Sequence, residues 1–130
     1  MQKLFHQHLL IKANVNEAPT TEYELNEWLR ELVADIRMKL VIEPRSFYVT
    51  TPGNEGLTGQ CGLETSHCSV HIWSDVKPNI VQMDVYSCKE FDADTVIMKL
   101  KEWDLINYES MVIDRNDNFV VTEVRKLNHA

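Results

Sequence analysis

Hydrophobic positions along this chain switch between two periods. From Phe5 to Val15 (FHQHLLIKANV) alternation passes into an apolar run, which predicts a first strand. Thr21, with Glu24 three residues on, has the form of a capping box. Leu25, Trp28, Leu29, Leu32, Val33, Ile36 and Leu40 then recur at helical spacing and predict a helix over 22–40. Pro44 and Pro52-Gly53-Asn54 punctuate the next stretch, with a short strand between them at 46–50. Residues 57–64, 66–73 and 80–88 read as strands, the last two joined by a hairpin loop from Ser74 to Asn79. A second helix is predicted at about 93–103, capped by Asp92 or Asp94, with Val96, Ile97, Leu100 and Trp103 as its apolar face. Strands at 107–113 and 118–125 flank the turn Arg115-Asn116-Asp117. Hairpins dominate this order, which predicts an α+β two-layer sandwich: a largely antiparallel sheet with two helices on one face.

Composition narrows the class. The chain has 130 residues, so a single domain over 1–130 is expected. Thirteen basic against twenty acidic residues give a net charge of −7, which disfavours tracking phosphates and argues against nucleic acid as a partner. No apolar run approaches the roughly 20 residues of a membrane helix, so no membrane partner is expected. The first residues carry His and Gln where a signal peptide needs a continuous apolar core, and the expected location is cytoplasmic. Cys61, Cys68 and Cys88 cannot all pair within one chain, and free thiols are the default there.

Candidate chemistry concentrates between Gly56 and Cys88. Alternation puts His67, Ser69, His71 and Trp73 on one face of a strand, with Cys68, Val70 and Ile72 on the other. On the next strand Asp84, Tyr86 and Cys88 share a face. A zinc site from His67, His71 and a cysteine is a weak reading. There is no C-x-x-C spacing, and the two histidines stand over ten ångströms apart at roughly 3.3 Å per residue. No metal is expected. His6 and His8 share a face and read as surface or hydrogen-bonded histidines; Asp84 reads as a structural acceptor, and Cys61, Cys68, Trp28 and Trp103 as packing residues.

The segment Thr65-Ser66-His67-Cys68-Ser69-Val70-His71-Ile72-Trp73, followed by Asp84-Val85-Tyr86-Ser87-Cys88, resembles the short prokaryotic S-adenosylmethionine decarboxylases. Their pattern is Ser-His-x-[Ser/Thr]-[Ile/Val]-His-x-Trp in one strand and Asp-[Val/Ile]-[Phe/Tyr]-[Ser/Thr]-Cys after the hairpin. Thr58-Gly59 resembles their upstream Ser-Gly step. The resemblance is tight over residues 57–92 and looser elsewhere. Trp73-Ser74-Asp75 stands in place of the usual Trp-Pro-Glu, Thr65 in place of a charged residue, and the hairpin is about two residues longer.

The resemblance implies a self-processing proenzyme. The Ser66 hydroxyl would attack the carbonyl of Thr65, and cleavage between the two would leave a pyruvoyl cofactor heading residues 66–130. His71 matches the family residue that removes the Ser66 α-proton, and Thr58 the hydroxyl that assists processing. The pyruvoyl carbonyl would form a Schiff base with the amine of S-adenosylmethionine and accept the electrons left by CO2. Cys88 matches the residue that returns a proton, and Trp73 and Asp75 match positions that hold the nucleoside. A homodimer with shared sites and a role in supplying aminopropyl groups for spermidine follow from the same resemblance. The alternatives are an unprocessed, non-enzymatic relative that binds a nucleoside or a partner subunit, and a decarboxylase of arginine or ornithine. One geometric demand stands out. Strict alternation sets Ser66 and His71 on opposite faces, so a bend or bulge at the strand start is expected.

Overall fold

A computed structural model describes residues 5–127. Seven strands, β1 (Gln7–Val15), β2 (Leu40–Val49), β3 (Gly56–Leu63), β4 (Ser66–Trp73), β5 (Asn79–Ser87), β6 (Leu105–Asp114) and β7 (Val120–Leu127), form one sheet. Their order is β2-β3-β4-β5-β1-β6-β7 and every neighbouring pair is antiparallel. Helices α1 (Glu22–Asp35) and α2 (Ala93–Leu100) pack on one face, and a short 3-10 turn continues α2 through Trp103. The α+β sandwich expected from the hairpin-rich order is the fold observed.

The alternation that predicted the strands also sorts the two faces. Leu9, Ile11, Ala13 and Val15 of β1, Cys68, Val70 and Ile72 of β4, and Val81, Met83 and Val85 of β5 are buried under the helices. Against them lie Leu25, Trp28, Leu29, Leu32 and Val33 of α1 and Val96, Ile97 and Leu100 of α2. The Trp28 and Trp103 rings meet at 4.1 Å and join the two helices. Burial of each such side chain contributes about 1.5–3 kcal/mol, so this layer dominates stability. Among the described residues, the opposite face of the sheet carries no helix.

Several boundaries differ from the sequence reading, two of them by more than a few residues. The first helix begins as expected, Thr21 Oγ1 accepting from the Glu24 N–H at 3.1 Å, but it stops at Asp35. Arg37 adopts φ 60°, and the N–H groups of Met38 and Arg37 reach back to the carbonyls of Val33 and Ala34. That is the Schellman arrangement, usually marked by glycine. Here it falls on arginine, so the helical spacing ran on past the true end. The strand expected at 46–50 begins at Leu40 instead. Pro44 is accommodated because β2 is an edge strand, and the β2–β3 register shifts on both sides of Ile42.

Candidate functional site

The uncovered face of the sheet holds a groove of about 640 Å³, lined among others by Thr58, His71, Trp73, His8, Asp84 and Met111. That volume suits a nucleoside-sized ligand. The chemistry-bearing residues gather in two groups at opposite ends of β4.

At the Trp73 end, Thr58 of β3 faces His71 of β4 across the ladder, with Thr58 Oγ1 2.6 Å from His71 Nδ1. His71 Nε2 is buried and has no hydrogen-bond partner among the described residues. Burial lowers the His71 pKa below the ordinary histidine value, with the Asn54 backbone opposing. When Nδ1–H donates to Thr58, Nε2 keeps the lone pair a base requires. The Trp73 ring meets the His71 ring edge-on at 4.3 Å, and its indole N–H donates to Asn54 Oδ1 at 3.1 Å. Asp75 stands exposed in the turn beyond. This end therefore unites three of the six residues singled out from sequence, Thr58, His71 and Trp73.

At the other end, Glu64 and Thr65 form the exposed two-residue turn between β3 and β4, and Ser66 heads β4. Ser66 Oγ accepts the Cys88 N–H at 3.3 Å and lies 3.3 Å from Thr65 Oγ1. The Cys88 thiol lies on the side of the uncovered face, 3.6 Å from the Tyr86 hydroxyl and 3.8 Å from His6 Nδ1. The hydrogen bond with Cys88 raises the Tyr86 pKa, which keeps the phenol protonated. Ser66 and Cys88 are thus neighbours through the Cys88 backbone.

The bend expected at the start of β4 is absent. The strand pairs without a register shift from Ser66 to Trp73 on the β3 side and from His67 to Trp73 on the β5 side. Ser66 and His71 remain on opposite faces, and five residues at about 3.3 Å each put them roughly 16 Å apart. Within one chain His71 does not reach the Ser66 α-proton. The two-residue turn holds both strands in register up to its own ends, which leaves no slack for a bulge.

A third cluster was not anticipated as a unit. His8 Nε2 and His67 Nε2 each lie 2.9 Å from Asp84 Oδ2, so Asp84 is the acceptor expected of it. These three ligand atoms lie within 4.8 Å of one another, and the set could in principle hold a metal ion. Arg115 argues otherwise, since its guanidinium approaches His8 Nδ1 at 3.4 Å. A ligating imidazole normally donates from its second nitrogen to an acceptor, and an arginine offers none. The histidine–cysteine set weighed from sequence is not assembled, because His67 and His71 are four strand residues apart and Cys61 and Cys68 lie buried on the helix side. Those two cysteines pack directly opposite each other in the β3–β4 ladder. Among the described residues no helix is long and apolar enough to cross a membrane.

Comparison with known proteins adds to this geometry. Residues 10–116 match the S-adenosylmethionine decarboxylase family. A solved adenosylmethionine decarboxylase from Aquifex aeolicus VF5 superposes with a TM-score of 0.67 at 18% identity, covering 94% of this chain and 97% of the other. A phage SAM lyase solved with S-methyl-5'-thioadenosine is also similar, with a TM-score of 0.40 at 12% identity over 99% of this chain and 95% of that one. No match is found among curated proteins.

Proposed function

This chain belongs to the S-adenosylmethionine decarboxylase family, and on that premise we propose that it decarboxylates S-adenosylmethionine through a pyruvoyl group derived from its own Ser66. The observation that carries this reading is the placement of Ser66 at an exposed two-residue turn with its hydroxyl against the Cys88 backbone. A turn is where a peptide bond can rearrange and a new chain end can move away. Attack of the Ser66 hydroxyl on the Thr65 carbonyl turns the peptide into an ester. Removal of the Ser66 α-proton then releases residues 1–65 by elimination, and water hydrolyses the dehydroalanine left at position 66 to the pyruvoyl group with loss of ammonia.

The base for that removal is His71, held by Thr58 with its second nitrogen free. Because the two cannot meet within one chain, the reading requires a homodimer. Thr58 and His71 of one protomer face Ser66 of its partner, and the same pairing recurs at the symmetry-related site. The uncovered sheet face supports this, since Leu10, Met111 and Val124 leave apolar side chains 37%, 38% and 58% exposed on it.

Formed at Ser66, a pyruvoyl group would supply the electron-withdrawing carbonyl that loss of CO2 requires. Around it, Cys88 donates the proton that replaces CO2. Trp73 offers a ring to adenine and the sulfonium, an attraction of about 0.5–2 kcal/mol, and Asp75 an acceptor to the ribose. The product is an aminopropyl donor for spermidine synthesis. Free Cys61, Cys68 and Cys88 fit the cytoplasm.

Intact mass spectrometry tests the reading. Fragments 1–65 and 66–130 are expected, the second lacking an amino terminus and reacting with carbonyl reagents. A chain that stays whole, with an unmodified Ser66 after prolonged incubation at neutral pH, overturns it and leaves the unprocessed relative. Faster CO2 release from arginine or ornithine than from S-adenosylmethionine overturns the substrate alone.

A further inference from the structure

As the donor to substrate carbon, Cys88 must regain its proton between turnovers. His6 precedes β1 and lies 82 residues from Cys88 in sequence, yet the two meet at one corner of the uncovered face. Pairing of β1 with β5 brings them together, with Gln7 opposite Ser87. The contacts form a closed triangle. His6 Nδ1 is 3.0 Å from the Tyr86 hydroxyl, that hydroxyl is 3.6 Å from Cys88 Sγ, and Sγ is 3.8 Å from His6 Nδ1. The histidine is anchored by its backbone, because the Arg115 N–H donates to the His6 carbonyl at 2.8 Å.

We propose that His6 acts through Cys88, returning a proton to its sulfur after each turnover and stabilising the thiolate in between. The proposal rests on the assignment of Cys88 as the donor to substrate carbon. The proton balance is simple. Cys88 S–H gives its proton to carbon and becomes a thiolate; His6 N–H⁺ then gives a proton to sulfur and becomes neutral, and solvent reprotonates His6. His6 is half-buried, so its ring can exchange with water on one side while touching the thiol on the other. Tyr86 orients both partners by hydrogen bonding, and its raised pKa makes it a weaker proton source than an imidazolium.

The other charged and titratable groups around this corner are few. Arg115 lies 4.2 Å over the Tyr86 ring, His8 packs edge-on against the same ring at 5.7 Å, and His67 lies tilted to it at 5.9 Å. Asp84 is engaged by His8 and His67, and Lys89 follows Cys88 in sequence, exposed. Arg115 keeps its charge throughout, over the face of the Tyr86 ring. Only His6 among these has a ring nitrogen in contact with sulfur and a charge that can come and go.

Thiol alkylation in a Ser66→Ala chain, which cannot form the pyruvoyl group, tests this without any decarboxylase activity. Cys61 and Cys68 are buried at 4% and 0% exposure, so iodoacetamide reports on Cys88. An imidazolium beside the thiol raises the thiolate fraction, so the rate–pH profile should show an arm at low pH. His6→Asn should remove that arm and slow alkylation at about pH 6 by roughly tenfold. Tyr86→Phe should keep the arm. In the Ser66 enzyme, His6→Asn should leave chain cleavage intact and lower kcat for CO2 release with little change in KM. Superimposable alkylation profiles for His6→Asn and its parent overturn the proposal, as does loss of the arm in Tyr86→Phe alone. Failure of the Ser66 chain to cleave counts against the pyruvoyl reading and leaves the alkylation result standing.

Discussion

Thr58 Oγ1 lies 2.6 Å from His71 Nδ1 across the β3–β4 ladder, and this contact holds the ring on the uncovered face of the sheet. A threonine in place of the family's serine keeps the hydroxyl and adds a methyl. Thr58→Val keeps the shape and deletes the bond. The loss is about 1 kcal/mol, and self-cleavage should slow roughly fivefold. Cleavage kinetics by intact mass check this; an unchanged rate would remove Thr58 from the processing machinery.

Ser66→Ala and His71→Ala chains are each expected to stay whole when made alone. Co-expressed, they should form mixed dimers in which one site is complete: an intact Ser66 from the His71→Ala chain and an intact His71 from the Ser66→Ala chain. Cleavage of the His71→Ala chain alone is the expected result, read by the masses of the fragments. If neither chain is cut in a verified mixed dimer, His71 does not act across protomers.

The pH dependence of cleavage follows from the buried ring. Burial lowers the His71 pKa, so the neutral imidazole that serves as base persists as pH falls through about 6.5, the ordinary histidine value. Cleavage should hold its rate there and decline only at lower pH. The stability contribution has a matching sign. Unfolded His71 takes a proton at higher pH than folded His71, so stability from this residue is complete above about pH 6.5 and is lost as pH falls below it. Rate constants measured between about pH 5 and about pH 8 decide the first point, and a half-maximal rate above about pH 7 contradicts it.

Gly56 opens β3 at φ 148°, and a Cβ there would stand 1.7 Å from the Ile72 carbonyl oxygen and 2.8 Å from its carbon. Backbone cannot step aside as a side chain can, so Gly56→Ala should cost about 3 kcal/mol or more. Gly53, at φ 90° with open space around it, offers the contrast, and Gly53→Ala should cost about 1 kcal/mol from backbone strain alone. Thermal melts of the two variants test the difference. Equal melting temperatures would mean that β3 and β4 can part at this point without penalty.

The sheet and helices were legible because their burial follows the two simple periods, 2 for strands such as β4 and 3.6 for α1. What escaped had specific causes. The α1 end was hidden because Arg37 takes a conformation that sequence readers expect of glycine. The start of β2 was hidden because an edge strand with Pro44 buries few of its side chains, so Val41 and Ile42 are exposed and carry no period. At the proposed site, the motif pointed to Ser66, His71 and Cys88, but a motif gives order along the chain and not distance across it. The separation of Ser66 from His71 comes from the unbroken β4 pairing, and the meeting of His6 with Cys88 from the position of β1 between β5 and β6. The shared parity of His6 and His8 with their strand face was the only advance signal, and it carried no partner.

The strand order has one more consequence. A cut between Thr65 and Ser66 assigns β1, α1, β2 and β3 to one piece and β4, β5, α2, β6 and β7 to the other, yet β1 lies inserted between β5 and β6. The two products are interleaved, joined by the β3–β4, β1–β5 and β1–β6 ladders, and neither can leave by simple rotation or sliding. Before the cut, folding is a unimolecular event. Afterwards it is a reassociation, and its equilibrium depends on protein concentration. A processed molecule, once fully denatured and diluted, should regain its sheet with second-order kinetics, whereas the uncut chain folds at a rate indifferent to dilution and only its pairing into dimers depends on concentration. Maturation would thus make the fold a one-way assembly, built while the chain is whole and held afterwards by its own weave.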